Sequence, residues 1–317
     1  MSVVPPAQRR AAAITSALVV AALVLAVVAI SLPNGGRASA REATFAFTSN
    51  REGSVDLYVT SSPGTLPRRL THDQAVDGDP TWAPDGSQMV FASERDGNLD
   101  LFLIGAGGGA TERLTDHPAA DLHPAWSPDG RKLAFTSERY NDFVPDYDGN
   151  AEIVVLDLDT RSITRITHHP ADDAFPAWSP DGQELVFASQ RGGSFNLYIV
   201  SVGGGDRRQI THNTGTSWQA AWAPDGSRIA FAYVPSGFAL RDVAWISLVD
   251  PDGTNLVRVT EEFRGDFDPS WSPDSSRLVF VSTRDGSRQL YTMSVTGRAV
   301  EWVDAGQGNA SDPVWQP

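Results

Sequence analysis

The 317-residue sequence predicts an all-β fold, a six-bladed β-propeller, preceded by one hydrophobic N-terminal helix. Three regularities predict it. Six tryptophans recur at spacings of 44, 52, 44, 49 and 44 residues. A phenylalanine follows each of the first five tryptophans by nine residues, and a threonine precedes each of these five by eleven. A fixed period of this length, with several short strands in each repeat, is typical of propeller blades. The six tryptophans are Trp82, Trp126, Trp178, Trp222, Trp271 and Trp315.

Each period predicts four strands, which we label a to d from the blade that contains Trp126. Strand a is "PAWSP", and "DG" then forms a turn. Strand b, "KLAFTS", alternates apolar with small or polar residues, as a strand with two different faces does. Strand c is "AEIVVL", and strand d, "RIT", is short and polar enough for an edge. The two length insertions, of 8 and 5 residues, fall between the recurring phenylalanine of strand b and the next threonine.

The ends of the repeat region predict how the ring closes. The first blade begins with strands b, c and d, "TFAFTS", "VDLYVT" and "PRRLT", and the last repeat supplies only strand a, "PVWQP". We expect these four strands to form one sheet, which would close the ring and protect its edges. The sequence therefore predicts a single propeller domain over residues 41–317.

Residues 1–40 predict a targeting segment. Arg9 and Arg10 precede an uncharged run of 22 residues, 11–32, which at about 1.5 Å per helical residue could span a hydrocarbon core of ~30 Å. Ala38 and Ala40 form the small-x-small pattern that a signal peptidase cuts. Two interpretations stay open, a membrane anchor at 11–32 or a signal peptide cleaved after Ala40. Both predict that the propeller lies outside the cytoplasm.

Composition excludes several classes of function. The formal net charge is −14, whereas nucleic-acid binding needs a basic surface, so we expect no nucleic-acid partner. The chain has no cysteine, which excludes disulfides, thiol catalysis and zinc sites built on sulfur. It also contains no nucleophile elbow, P-loop or dinucleotide-binding fingerprint.

The repeat resembles that of the TolB-like β-propeller family. The resemblance rests on "PAWSPDGRKLAFTSER", "DGNAEI" and "RLTDHPAADLHP", and it recurs from residue 41 to residue 317. It implies the six-bladed fold, but the same repeat also accompanies peptidases and polysaccharide lyases, so it is less specific for function. The N-terminal α/β domain of TolB has no counterpart in residues 1–40.

The best candidate site is the residue just before the blade proline, where the chain enters the innermost strand near the pore mouth. Around the predicted ring these positions read Asp268, Asp312, Asp79, His123, Phe175 and Gln219. Three acids and a histidine thus fall on four neighbouring blades. Because carboxylate oxygens suit hard cations, Asp79, Asp268 and Asp312 are candidate ligands for Ca²⁺. A basic side chain of a partner could take the same place, and ordinary solvated acids are the alternative.

The longer insertion offers a second candidate. It contains Tyr140, Phe143 and Tyr147, whose rings could contact a ligand on the face of the ring that carries the insertions, or could instead pack on the neighbouring blade. Recurring residues are expected to be structural. Asp77, Asp121, Asp173 and Asp266, each three residues before the blade proline, are expected to cap backbone N–H groups of the d–a loops.

These features predict a non-catalytic, extracytoplasmic propeller, expected to be a monomer, that binds a protein or a cell-envelope polymer through one face and its pore mouth. The alternative is a carbohydrate-active enzyme, a polysaccharide lyase or glycoside hydrolase. It would use the mouth carboxylates and His123, with Tyr140 or Tyr147 stacking on sugar rings.

Overall fold

The computed structural model describes residues 44–60, 66–140, 150–238, 243–261, 265–296 and 299–317. These residues form 24 β-strands and no helix, which confirms the all-β prediction for this part of the chain. The predicted helix at residues 11–32 lies outside the described residues. Within the described ranges, no helix is long and apolar enough to cross a membrane.

The strands form six sheets of four antiparallel strands each, the six predicted blades. Blades 1 to 3 comprise β24 (Ala310–Trp315), β1 (Phe45–Ser49), β2 (Asp56–Thr60), β3 (Arg68–Arg69); β4 (Asp77–Trp82), β5 (Gln88–Ser93), β6 (Asp100–Gly105), β7 (Thr111–Arg113); and β8 (Asp121–Trp126), β9 (Lys132–Tyr140), β10 (Asn150–Asp157), β11 (Ile163–Arg165). Blades 4 to 6 comprise β12 (Asp173–Trp178), β13 (Glu184–Ser189), β14 (Asn196–Ser201), β15 (Arg208–Gln209); β16 (Thr216–Trp222), β17 (Ile229–Val234), β18 (Trp245–Val249), β19 (Val257–Arg258); and β20 (Asp266–Trp271), β21 (Arg277–Ser282), β22 (Gln289–Ser294), β23 (Val300–Val303).

The first blade closes the ring as predicted. Strand β24, from the end of the repeat region, pairs antiparallel with β1, placing Phe45 opposite Trp315 and Ser49 opposite Ala310. The backbone N–H of Gln316 also donates to the carbonyl of Thr44 at 3.0 Å. Consecutive innermost strands, β20, β24, β4, β8, β12 and β16, contact one another around the axis, and β16 contacts β20 again. The six blades therefore form a closed ring.

The core lies between neighbouring blades and is built from the repeated aromatic residues. All six strand-b phenylalanines are completely buried: Phe47, Phe91, Phe135, Phe187, Phe231 and Phe280. Some tryptophans also connect blades, because Trp178 Nε1 donates to the carbonyl of Ala125 on blade 3 at 3.0 Å and Trp271 Nε1 donates to that of Ala221 on blade 5 at 3.0 Å. The repeated residues are thus structural, as expected.

The antiparallel sheets give the ring two faces. The d–a and b–c connections lie on one, called here the upper face, and the a–b and c–d connections lie on the lower face. Both insertions are b–c connections, β9–β10 and β17–β18, so they lie on the upper face. The "PDG" turns are on the lower face, where Asp85 accepts the backbone N–H of Ser87 at 2.9 Å and Asp181 accepts that of Gln183 at 3.0 Å.

The expected role of the recurring aspartates was wrong. Asp77, Asp121, Asp173 and Asp266 are the first residues of β4, β8, β12 and β20 and are completely buried. They form ion pairs with the b–c turn arginines Arg95, Arg139, Arg191 and Arg284 at 2.9, 2.7, 2.8 and 3.1 Å. A buried carboxylate needs such a partner because its desolvation is costly. These acids therefore fasten the upper end of the blade instead of capping loop N–H groups.

Candidate pore-mouth site

The six residues directly before the blade proline, or before Ala220 that stands in its place in blade 5, share one unusual backbone conformation. Each lies in its innermost strand at a bulge, where pairing with strand b shifts register. At each of them φ is positive, between 49° and 57°. The bulge turns these side chains toward one another around the upper end of the channel, at a site we call the pore mouth. The six are Asp79, His123, Phe175, Gln219, Asp268 and Asp312.

Hydrogen bonds connect the pore mouth from blade to blade. Asp79 accepts the backbone N–H of His123 at 3.3 Å. The Oε1 atom of Gln219 accepts the backbone N–H of Asp268 at 3.3 Å, and the Nε2 group of Gln219 donates back to the Asp268 carboxylate. Thr48 donates its hydroxyl to Asp312 at 2.7 Å. Asp79, Gln219 and Asp268 are therefore held by bonds between neighbouring blades, and Asp312 is held by strand β1 of its own blade.

The acidic residues occupy the half of the mouth on blades 6, 1 and 2, and their environment disfavours negative charge. Burial raises the pKa of Asp79 to about 6. Burial and the nearby charge of Asp79 raise the pKa of Asp312 to about 6. Burial and the charge of Asp312 raise the pKa of Asp268 well above its usual range, and Arg288 opposes this shift. Three carboxyl groups on consecutive blades thus share a site where their charges repel.

The other half of the mouth, on blades 3 to 5, is aromatic and neutral. The rings of His123 and Phe175 lie with centroids 3.9 Å apart, and Phe175 meets Trp218 edge-on at 5.6 Å. Burial lowers the pKa of His123 to about 4, so the imidazole is neutral at pH 7. Its Nε2 atom is 3.8 Å from Asp79, where the two halves meet.

The sequence located the six mouth positions but missed other residues that support them. Thr48 contacts Asp312, and the Thr136 hydroxyl accepts the backbone N–H of Phe175 at 3.1 Å and lies 3.2 Å from Nδ1 of His123. Both threonines directly follow the strand-b phenylalanine, where the other four blades have Ala or Val. That difference between repeats was the available signal.

The residues that the structure describes do not form a metal centre. Among the residues it describes, no group of three His, Asp or Glu side chains is close enough to hold a metal ion. The calcium site predicted at Asp79, Asp268 and Asp312 stays a prediction. Carboxylate oxygens on three neighbouring blades have suitable chemistry for Ca²⁺, but coordination would require them to move closer.

The insertion in blade 3 is described only in part. Tyr140 is the last residue of β9, and the guanidinium of Arg165, on β11 of the same blade, lies 4.3 Å from its ring centroid. Tyr140 therefore packs against its own blade at the upper face. Phe143 and Tyr147 lie outside the described residues, so a ligand-contacting role for this loop stays a prediction.

Comparison with known proteins agrees with the geometry. The family model described as the TolB beta propeller domain matches residues 78–143 and 141–317, more than half of the chain. The chain belongs to this family. The match confirms the resemblance seen in the repeat, and membership of this family supports a binding role in general.

Individual relatives match this chain over very different lengths. The Tol-Pal system protein TolB of Desulfosudis oleivorans is 40% identical over 58 residues, which is 18% of this chain and only 13% of that relative. The crystal structure of TolB from Acinetobacter baumannii superposes with a TM-score of 0.72 at 24% identity, covering 87% of this chain and 67% of that one. An oligogalacturonate lyase in complex with manganese gives a TM-score of 0.59 at 16% identity, covering 82% and 73%. At these identities the structural comparisons show the fold alone.

Proposed function

We propose that the protein is a non-catalytic, extracytoplasmic binding propeller that holds a basic side chain of a protein partner at its pore mouth. The observation that carries the proposal is the set of three carboxyl groups on consecutive blades, whose pKa values are raised by burial and, for Asp268 and Asp312, also by the charge of a neighbouring carboxylate. A cation placed among them would relieve that repulsion.

The charge of the upper face supports a cationic partner. Four arginines at the upper ends of blades 2, 3, 4 and 6, Arg95, Arg139, Arg191 and Arg284, are each paired with a buried aspartate. Arg288 lowers the pKa of Asp268 and Asp312, but by less than burial and the neighbouring carboxylates raise it. Asp96 and Asp116, on upper connections of blade 2, are exposed. A surface of this sign attracts basic partners and accelerates their association, especially at low ionic strength.

The decisive experiment compares capture of partners from a cell-envelope extract. We expect the full chain to retain a protein partner that the Asp79→Asn, Asp312→Asn double variant loses. The matched control is Asp159→Asn, Asp206→Asn, which removes two exposed carboxylates elsewhere on the ring. If both double variants capture the same proteins as the parent, the pore mouth is plain acidic surface.

The same variants test the metal version of the proposal. If the mouth binds Ca²⁺, millimolar Ca²⁺ should raise the thermal midpoint of the parent by mass action. At 100 times Kd the bound ion adds about 2.7 kcal/mol to the free energy of unfolding. The double variant Asp79→Asn, Asp312→Asn should not respond. A parent indifferent to Ca²⁺ leaves the basic side chain as the cation.

The proposed location outside the cytoplasm rests on the apolar run at residues 11–32 and on the family. The chain has no cysteine, so a single Ser236→Cys substitution on the exposed β17–β18 connection gives a clean label site. We expect an impermeant maleimide to label it in intact cells. Labelling that requires lysis would contradict this location. An N-terminus at Arg41 in mass spectrometry would indicate cleavage, and an intact one would indicate the anchor.

The second candidate function, a carbohydrate-active enzyme, is favoured by the shared fold with the oligogalacturonate lyase and by the pairing of Asp79 with His123. It predicts turnover of an acidic polysaccharide that is lost in His123→Ala. A binding protein has no turnover to lose, so the assay separates the two functions.

A further inference from the structure

The upper end of blade 5 departs from the other blades. Ser217 stands at the register position where blades 2, 3, 4 and 6 place their buried aspartate, since it pairs with Tyr233 as Asp77 pairs with Ser93. Pro235 stands where those blades have the arginine that binds it. Blade 5 has therefore lost both partners of the ion pair together.

A second replacement occurs on strand c. Trp245 pairs with Tyr233 in the way that Asp100 of blade 2 pairs with Ser93. The rings of Trp245 and Tyr233 are in contact, with centroids 5.0 Å apart. An ionic blade end has thus become an aromatic one, and both rings remain partly exposed.

These rings adjoin the aromatic half of the pore mouth. Phe175, Trp218 and Tyr233 all pack on one buried cluster between blades 4 and 5. Phe238, on the β17–β18 connection, is 51% exposed. At Gly215, just before β16, a β-carbon would lie 2.1 Å from the carbonyl oxygen of Val234, the last residue of β17, and 2.9 Å from Cα of Pro235, so the chain that enters β16 lies against the start of the β17–β18 connection. We call the resulting surface the aromatic platform; its residues are Phe175, Trp218, Tyr233, Phe238 and Trp245.

We propose that the aromatic platform binds an aromatic or large aliphatic side chain of the same partner segment whose basic residue enters the acidic half of the pore mouth. The inference rests on the proposed function and specifies its partner. The Gln219–Asp268 hydrogen bond joins the two halves where blades 5 and 6 meet. A segment that crosses the mouth therefore meets the platform on one side and the carboxyl groups of Asp268 and Asp312 on the other.

Charge complementarity decides between a protein segment and a sugar polymer. A neutral sugar could stack on the rings but would leave the neighbouring carboxyl groups without a cation, and an acidic sugar would be repelled by them. A peptide that carries Lys or Arg close to Trp, Tyr or Phe satisfies both halves. Rigid aromatic anchors and basic side chains are also the residues that dominate binding at protein interfaces.

The test selects a display library of random twelve-residue peptides on the full chain. We expect enriched peptides to carry Lys or Arg within a few residues of an aromatic residue. Binding of one labelled enriched peptide is then measured by fluorescence anisotropy against Trp245→Ala and Phe238→Ala. Each should weaken binding about tenfold, as loss of an interface anchor does. Trp302→Ala is the matched control, because Trp302 is 55% exposed on the edge strand β23.

A double-mutant cycle makes the result specific. Replacing the aromatic residue of the peptide by Ala should cost as much as Trp245→Ala, and combining the two changes should cost little more, because directly contacting residues are coupled. Thermal midpoints of the variants identify any loss caused by misfolding, and Phe238→Ala, at an exposed position, gives a second reading with little risk to the fold.

The outcomes separate this inference from the proposed function. One outcome would overturn the aromatic platform alone: the enriched peptides are basic but lack aromatic residues, and they bind the Trp245→Ala and Phe238→Ala variants as tightly as the Trp302→Ala control. Peptides whose binding is unaffected by Asp79→Asn, Asp312→Asn would overturn the proposed function. If Trp245→Ala leaves peptide binding unchanged but abolishes binding of chitotetraose, the platform is a sugar site and the inference is wrong.

Discussion

At the scale of single residues, the pore mouth is made by a backbone conformation that is uncommon for residues other than glycine. Positive φ is uncommon for residues other than Gly, and Asp, Asn and His tolerate it best. Asp79, His123, Asp268 and Asp312 fit this preference, whereas Phe175 and Gln219 adopt φ of 57° and 52° against it. Because the bulge recurs in every blade, the backbone is structural, and the choice of side chain is free to determine what the mouth binds.

The raised pKa values of two mouth carboxyl groups predict how stability depends on pH. The pKa values of Asp79 and Asp312 rise from an ordinary 3.8 to about 6 in the folded protein. The folded state therefore binds more protons than the unfolded state between these values, and the contribution of these groups to stability falls as the pH rises from about 4 to 6. Above that window the two charges cost about 1–3 kcal/mol.

Asparagine at both positions removes this cost. We expect Asp79→Asn, Asp312→Asn to raise the free energy of unfolding at pH 7.5 by about 1–3 kcal/mol and to leave it nearly unchanged at pH 3.5, as measured by urea denaturation at both values. The control Asp159→Asn, Asp206→Asn carries the same change in net charge on exposed residues. An equal stabilisation by the control would attribute the effect to net charge and not to the mouth.

The residue scale is also where prediction from sequence was least complete. The mouth residues could be found because they precede a repeated proline and differ between blades. Thr48 and Thr136 were missed although they differ from the Ala or Val of the other four blades. The effects of Thr136 on Phe175 and of Arg288 on Asp312 cross blade boundaries that the repeat does not reveal. The aspartates at the strand a entry were assigned a loop-capping role, because the sequence does not show that the arginine 18 residues later folds back onto them.

At the scale of elements, the recurring Asp–Arg pair fastens strand a to the b–c turn. Arg191 binds both carboxylate oxygens of Asp173 at 3.0 and 2.8 Å and also lies 4.6 Å from the ring centroid of Tyr198. Blade 1 shows a different solution, since Ala310 replaces the acid and Arg51 donates to the carbonyl of Ala305 instead. The blade fold therefore does not require the pair, but an arginine or an acid left alone there must find another partner.

This arrangement predicts a strongly non-additive mutant cycle in blade 4. Asp173→Ser alone or Arg191→Pro alone should destabilise the protein by about 3–5 kcal/mol, because each leaves a buried or half-buried charge unpaired. The double variant, which copies Ser217 and Pro235 of blade 5, should cost less than the sum of the two. Urea denaturation of the parent and the three variants gives the coupling energy, and additive losses would show that the pair is not a unit.

The strands themselves were largely predictable, because period-2 alternation and a fixed repeat act together. Strands b and c lie where the pattern places them, for example β9 and β10 of blade 3. The innermost strands begin earlier than predicted, at Asp77 in blade 2 instead of near Pro80. A proline and a positive φ interrupt the pattern there, so the sequence resembles a loop although the backbone continues as a bulged strand.

At the scale of the whole molecule, blade 1 joins the two ends of the repeat region into one sheet. The strands found at the two ends of the repeat region predicted this closure, and the pairing of β24 with β1 confirms it. The same pairing supports the pore mouth, since Thr48 of β1 donates to the mouth residue Asp312 of β24 at 2.7 Å. Ring closure and the geometry of the acidic half are thus linked.

Closure should therefore contribute to stability and to the site at the same time. The ring of Trp315 lies 4.3 Å from that of Phe45 across the β24–β1 pair. Removal of a fully buried large aromatic costs about 3–5 kcal/mol, and the cost is smaller for Trp315 because its side chain is partly exposed. We expect Trp315→Ala to lower the thermal midpoint far more than Trp302→Ala, whose side chain is 55% exposed on β23.

Deletion of residues 313–317 should lower the thermal midpoint further, because it also removes backbone pairs of Phe45 and Ala46. Partner capture at a temperature where each variant remains folded then measures the link to the pore mouth, and equal midpoints for Trp315→Ala, the deletion and the parent would contradict the shared blade.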